Sequence, residues 1–131
     1  MARLLEKQIT AQRALQRFSE ILQEEKNTIT RDAAIQRFEF TFEAVWKYVQ
    51  YYLKTNEGLD LASPKAVIRA SFQLGFLDEN QTETAIRMTD DRNLTSHTYD
   101  EALAESIYTH LATYHPLLTH WFARVSLSTH I

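Results

Sequence analysis

The sequence of 131 residues contains no cysteine, and it has only two glycines and two prolines. The absence of cysteine excludes disulfides, thiolate nucleophiles and metal sites ligated by cysteine. So few turn-forming residues do not suit an all-β sandwich or barrel, which requires many tight turns. Gly58 and Gly75 are also too far apart to build either common type of glycine-rich phosphate-binding loop.

The sequence also lacks a strong excess of charge of either sign and any long hydrophobic run. The formal net charge is −3 with histidine neutral, which does not imply a large basic face for nucleic acid, although it leaves room for a small basic cleft. No apolar run approaches the length of a membrane span, and charged residues follow Met1 too soon for a signal peptide. With 44% hydrophobic and 24% charged residues, we expect one globular, cytoplasmic domain over residues 1–131.

Apolar residues recur along the chain at spacings of three, four and seven, which is the periodicity of amphipathic helices. This pattern predicts five helices, at about 3–25, 30–55, 64–74, 80–94 and 99–125. Candidate capping residues precede or open four of them: Thr30 or Asp32, Ser63 with Pro64, Asn80 with Glu83, and Thr98 with Glu101. The sequence therefore predicts an all-α, up-and-down helical bundle.

Two of these predicted helices have unusual patterns. The second carries so many aromatic residues, from Phe38 to Tyr52, that either it is central in the bundle or its second face meets another chain. The two interpretations are compatible, and at helical spacing we expect core packing rather than base stacking. In the fifth, the apolar period continues through Pro116, which predicts one helix with a kink.

The polar junction between the fourth and fifth predicted helices carries the residues best suited to chemistry. Arg92 falls in the last turn of one helix, His97 in the joint and Tyr99 in the first turn of the next. On one continuous helix Arg92 and His97 would lie about 140° apart, but across a turn they can converge. A guanidinium can hold a phosphate while an imidazole moves a proton. The alternative is that Arg92 pairs with Asp90 or Asp91 and that His97 satisfies a helix end.

These residues also resemble a known signature. Arg92-x4-His97-x-Tyr99 is similar to the R-x4-H-x-Y motif of the HEPN superfamily (higher eukaryote and prokaryote nucleotide-binding domain). Together with residues 37–47, the stretch 88–99 resembles the bacterial nucleotidyltransferase substrate-binding protein family, close to the HepT-type toxins. The resemblance covers essentially the whole chain and implies a helical homodimer with two signature junctions in a shared cleft. We expect parts of the exposed aromatic face and the fourth helix to form the interface.

The same resemblance implies a function and a role for each residue. In HEPN ribonucleases the signature Arg and His cut RNA without a metal. Arg92 would then hold the scissile phosphate, His97 would act as general base or acid toward the ribose 2′-OH, and Asn93 would orient either group. In toxin–antitoxin members a separate minimal nucleotidyltransferase silences the nuclease by transferring AMP to the signature tyrosine, here Tyr99. The alternative is a non-catalytic subunit that joins such a nucleotidyltransferase and binds a nucleotide or phosphate through Arg92. No cofactor is expected.

Other candidate sites are weaker. The histidines of the predicted fifth helix, from His110 to His120, follow at intervals of five and so point about 140° apart, which predicts no shared metal ion. Glu39 and Glu43 lie one turn apart on the second helix, and Lys47 offers Glu43 an ion-pair partner. Neither glutamate is expected to belong to a catalytic carboxylate pair.

Overall fold

The computed structural model describes residues 2–129, and this part of the chain is helical with no strand. The five α-helices are α1 (Ala2–Leu22), α2 (Thr28–Glu57), α3 (Pro64–Gln73), α4 (Glu79–Asn93) and α5 (Glu101–Ser128). A short 3₁₀ helix, Thr95–His97, lies between α4 and α5. The predicted all-α bundle is therefore confirmed. No helix within the described range is long and apolar enough to cross a membrane.

Helix α2 lies at the centre of the bundle and contacts all four other α-helices. Its predicted apolar stripe is buried, and so are three further aromatic side chains, Trp46, Tyr48 and Tyr52. The central position explains why apolar residues cover more than one face of this helix. Only Phe40 and Tyr51 among its aromatic residues remain partly exposed.

Helix α5 is continuous through Pro116, as the apolar period predicts. Buried residues continue on both sides of the proline, with Ile107 and Leu111 before it and Trp121 and Val125 after it. The indole Nε1 of Trp121 donates a hydrogen bond of 2.9 Å to the buried hydroxyl of Ser71, so that α5 and α3 also share a polar contact in the core.

The start of α3 is predicted correctly, but α2 begins earlier than expected. Ser63 caps α3 and Pro64 is its first residue. The predicted caps of α2, Thr30 or Asp32, are wrong, because Asn27 is the capping residue. The Oδ1 atom of Asn27 accepts a hydrogen bond from the backbone N–H of Thr30, and the Thr30 hydroxyl accepts one from the backbone N–H of Asn27. This reciprocal pair satisfies two helix-end groups at once.

The predicted capping boxes of α4 and α5 are also wrong. Asp78 caps α4 and pairs with Gln81, two residues before the expected pair of Asn80 and Glu83. Asp100 caps α5. Thr98 lies two residues before this cap, and its hydroxyl donates to the carbonyl of Thr95 within the preceding turn.

A cluster of charges around one buried arginine joins the start of α2 to the start of α5. The Arg31 side chain is only 3% exposed, and its guanidinium contacts the carboxylates of Asp32, Glu101 and Glu105. The shortest contact to α5 is 2.7 Å, from Nη1 to Glu101. These hydrogen bonds, with Glu101 the strongest, raise the pKa of Arg31, so its charge is firmly retained. The cluster fixes the beginning of α5, which directly follows the predicted functional junction.

Candidate functional site

The four predicted site residues lie along the connection between α4 and α5. Arg92 and Asn93 are the last two residues of α4, and His97 ends the 3₁₀ turn. Tyr99 lies in the turn before α5 and not in its first turn, because that helix begins only at Glu101. Its side chain is 83% exposed. The signature therefore occupies a corner of the molecule that solvent can reach.

The path of this corner is set by successive short-range hydrogen bonds. The backbone N–H of His97 donates to the carbonyl of Leu94, and that of Asp100 donates to the carbonyl of His97. The buried Thr95 fastens the turn to the central helix, since its hydroxyl lies 2.8 Å from the carbonyl of Arg92 and 3.1 Å from Oε2 of Glu39. Thr95 thus anchors the connection to α2.

Arg92 is held by a carboxylate from α2. Its Nη2 atom donates a hydrogen bond of 2.8 Å to Oε2 of Glu43, while Lys47 Nζ lies 3.6 Å from Oε1 of the same glutamate. The Arg92 side chain is 32% exposed, and its guanidinium has further donors, of which Nε is buried without a partner among residues 2–129. Glu43 therefore orients the guanidinium, and part of the Arg92 side chain still faces solvent.

The alternative pairing of the arginine with a neighbouring aspartate is wrong. Asp90 accepts from Lys65 Nζ at 2.7 Å, on the α3 side. Asp91 turns toward α5, where it accepts from the hydroxyl of Tyr114 and lies 2.8 Å from Nδ1 of His110. Burial, reinforced by Asp91, raises the pKa of Tyr114 and keeps its hydroxyl a neutral donor. Consecutive helical residues point about 100° apart, so the aspartates reach other helices.

His97 and Tyr99 are neighbours at the exposed end of the site. Their ring centroids are 6.0 Å apart in an edge-on arrangement, with 74° between the planes. The His97 ring is exposed and makes no hydrogen bond with residues 2–129, so both its nitrogens are open to a ligand. No hydrogen bond joins it to Arg92 within this range, and the exposed Asn93 side chain likewise bonds to neither residue.

The sequence did not assign any site role to Glu39, Glu43 or Thr95. The sequence places Glu39 and Glu43 on one face of α2, and the predicted Glu43–Lys47 ion pair is confirmed. What the sequence does not reveal is that this face packs against the end of α4. The only available signal was the pair of glutamates on a helix otherwise rich in apolar residues.

The histidines of α5 serve separate contacts. His110 pairs with Asp91, whereas His115 lies with its Nε2 atom 3.3 Å from the carbonyl of Leu15 on α1. Across residues 2–129, no three His, Cys, Asp or Glu side chains are grouped in a way that would hold a metal ion.

Comparison with known proteins defines the class to which this bundle belongs. The family model described as "Nucleotidyltransferase substrate binding protein like" matches residues 6–126, and the chain is a member of this family. A curated relative, the "Probable ribonuclease HepT" of Haemophilus influenzae, is 32% identical over 79 residues. The match covers 57% of this chain and 53% of that protein, so the chain spans about half the length of this relative.

Two solved structures share the fold. A crystal structure of a protein from Thermus thermophilus is 46% identical, with a TM-score of 0.84 over 88% of this chain and 98% of the other. A structure described as a toxin–antitoxin with AMP-PNP has a TM-score of 0.74 over 93% of this chain and 96% of the other. At 12% identity, this second likeness shows the shared fold alone.

Proposed function

We propose that this chain is the toxin subunit of a HEPN/minimal-nucleotidyltransferase toxin–antitoxin pair and acts as a metal-independent endoribonuclease. The observation that carries the proposal is the exposed corner itself. It presents the exposed imidazole of His97, which makes no hydrogen bond within residues 2–129, on the same short connection as Arg92, whose guanidinium is anchored from α2 but still about one-third exposed. Family membership and similarity to a probable ribonuclease support the same function.

In the proposed reaction, the His97 imidazole removes the proton from a ribose 2′-OH as general base. The O2′ atom attacks the adjacent phosphorus, and the bond from phosphorus to O5′ breaks. The products are a 2′,3′-cyclic phosphate and a 5′-hydroxyl end, which takes up a proton from an imidazolium. Arg92 binds the phosphate oxygens and stabilises the negative charge that develops on them. We include a homodimer, which would place two such corners in one cleft.

Tyr99 is the proposed site of silencing. Its hydroxyl would attack the α-phosphate of ATP bound to a separate nucleotidyltransferase, forming an AMP ester and releasing pyrophosphate. The high exposure of Tyr99 suits modification by a second protein. Because its ring lies 6.0 Å from that of His97, the attached phosphate would compete with RNA for the same cationic corner.

One observation favours a second function. Within this chain, the charge of Arg92 is already compensated by Glu43, which weakens the attraction of the corner for a phosphate. A non-catalytic subunit that joins a nucleotidyltransferase and binds a nucleotide or phosphate group through Arg92 would accommodate this pairing, because it does not need Arg92 to stabilise the charge of a transition state. The two functions differ in whether His97 is required for chemistry.

The deciding experiment is cleavage of a mixed-sequence RNA by the purified, unmodified protein in excess EDTA, beside a His97→Ala variant. We expect cleavage by the wild type alone, with 2′,3′-cyclic phosphate ends. Co-expression with the nucleotidyltransferase should abolish wild-type cleavage and add AMP to the protein, and Tyr99→Phe should stay unmodified. Equal cleavage by wild type and His97→Ala would indicate a contaminant. No cleavage by either, with intact mass confirming free Tyr99, would favour the binding subunit.

A further inference from the structure

A long surface groove lies between α1 and α2. Three adjoining hollows of about 370, 470 and 370 Å³ form it, and neighbouring hollows share lining residues. Lys7 lines the first two, while Phe40 lines the second and third. We call this feature the α1–α2 groove and define it by Lys7, Arg17, Phe40, Lys47 and Tyr51.

The charge of this groove is opposite to that of the whole chain. Its lining includes three acidic side chains and six basic ones, namely Arg3, Lys7, Arg13, Arg17, Lys47 and Lys54. One of the three acids, Glu43, is already bonded to Arg92 and Lys47. The chain as a whole has a net charge of −3, whereas six of its 14 lysines and arginines line this groove. Such a surface attracts a polyanion.

Aromatic rings alternate with these cations. The Arg17 guanidinium lies 5.1 Å from the centroid of the Phe40 ring, and Lys7 Nζ lies 5.8 Å from that of Tyr51. These two rings are partly exposed, in contrast to the other aromatic side chains of α2. Cations interleaved with accessible rings are the combination with which proteins bind single-stranded nucleic acid, because phosphates pair with the cations and bases stack on the rings.

The groove borders the candidate site at Glu43. Glu43 lines the central hollow with one side and accepts the hydrogen bond of Arg92 on the other. From Phe40 to Lys54, α2 extends for about 20 Å, which is long enough to lie along several nucleotides. A strand whose scissile phosphate lies at Arg92 would therefore have an adjacent basic surface to follow.

We propose that the α1–α2 groove binds the single-stranded RNA that flanks the scissile phosphate. Lys7 and Arg17 would pair with backbone phosphates, while Phe40 and Tyr51 would stack on bases. This inference deepens the proposed ribonuclease function and rests on it for the identity of the ligand.

The test measures binding separately from cleavage, using fluorescence anisotropy of a labelled, unstructured RNA of about twelve nucleotides. All proteins carry His97→Ala so that the RNA stays intact. The groove variant is Lys7→Glu/Arg17→Glu, and the matched control is Arg69→Glu/Arg124→Glu. The control has the same change in net charge, at exposed positions on α3 and α5.

We expect the groove variant to raise Kd at least about tenfold, and the control to raise it less than about threefold. The slope of log Kd against log salt concentration should fall by about 1.4 in the groove variant, as expected for two lost phosphate contacts. Phe40→Leu should raise Kd about fivefold or more with no change in this slope, because it removes stacking and no charge. Equal weakening by the groove and control variants, or no effect of Phe40→Leu, would overturn the inference.

Failure of the groove proposal and failure of the proposed ribonuclease function would give different results. If the wild type does not cleave RNA but the groove variant loses binding, the catalytic proposal fails and the groove stands. If the wild type cleaves RNA but the groove variant binds like its control, only the groove is refuted. Sedimentation of the same proteins tests a second copy as occupant: loss of a dimer in the groove variant alone would make this face a subunit interface and overturn the inference.

Discussion

Two arginines in this bundle are held by carboxylates from other helices, yet their surroundings differ. Arg31, near the start of α2, is 3% exposed and contacts three carboxylates, two of them on α5. Arg92, at the end of α4, is 32% exposed and contacts one, that of Glu43. The first lies inside the packed structure and the second lies at a surface corner.

The comparison shows that an interhelical ion pair does not by itself mark a functional arginine. Arg31 joins two helix starts, and a ligand has no access to its guanidinium. Arg92 is oriented by Glu43 while part of its fork remains available to a phosphate. Exposure distinguishes the two, so replacing each residue should affect different properties of the protein.

The largest expected effect is the loss of RNA cleavage caused by Arg92→Met. We expect the cleavage rate in EDTA to fall by about 100-fold or more, as for removal of a group that stabilises transition-state charge. The free energy of unfolding should change by less than about 1 kcal/mol, because the pair with Glu43 is partly solvated. Cleavage assays and thermal melts of the same preparation measure both quantities.

Arg92→Lys is the matched control for this prediction. It retains the positive charge but loses the planar fork that binds two phosphate oxygens, so its activity should lie between those of wild type and Arg92→Met. Wild-type cleavage by Arg92→Met would remove Arg92 from the proposed reaction and make the two arginines functionally alike.

Arg31→Met should have the opposite profile. Loss of the charged hydrogen bonds from this buried side chain should lower the free energy of unfolding by about 2–3 kcal/mol. Below the melting transition, we expect RNA cleavage to remain within a few-fold of wild type. Denaturant unfolding measures the loss, with Arg69→Met as an exposed control that should stay within about 0.5 kcal/mol. A loss as small as that of the control would show that Arg31 is not the structural arginine.

Much of this fold follows from local sequence patterns. The apolar stripe of α2, the passage of α5 through Pro116 and the start of α3 at Ser63 were all predicted from residues within a few turns of one another. The placement of Arg92 at a helix end and of His97 in the joint rests on the same short-range signals. Where several capping residues stand close together, as Thr98 and Asp100 do, the pattern does not select between them.

The polar partners were not predictable in this way. Glu43 and Arg92 are 49 residues apart, Glu39 and Thr95 are 56 apart, and Arg31 and Glu101 are 70 apart. Which of these side chains meet depends on how each helix is rotated against α2, and apolar periodicity specifies that rotation only to within a face. The sequence therefore offered only the adjacent aspartates as partners for an arginine that in fact pairs with another helix.

The smallest expected effect is a dependence of stability on pH that belongs to the Arg31 cluster. The hydrogen bond from Arg31 lowers the pKa of Glu101 below its ordinary value of 4.5, and the hydrogen bond from Lys26 does the same for Glu105. A carboxylate with a lowered pKa in the folded state stabilises the fold above its unfolded pKa, and this contribution is lost as the pH falls through the folded pKa. The melting temperature of the wild type should therefore decrease as the pH falls below about 4.5, and Glu101→Gln should flatten that decrease.

The change in stability caused by Glu101→Gln should be smaller than that caused by Arg31→Met, because Glu101 is largely exposed and water screens its charge. In an Arg31→Met background, Glu101→Gln should leave the pH dependence unchanged, since the partner that lowers the pKa is absent. Melting temperatures of the four proteins, measured between about pH 3 and pH 7, test this coupling. If Glu101→Gln flattens the curve equally with and without Arg31, the acid sensitivity does not arise from this cluster.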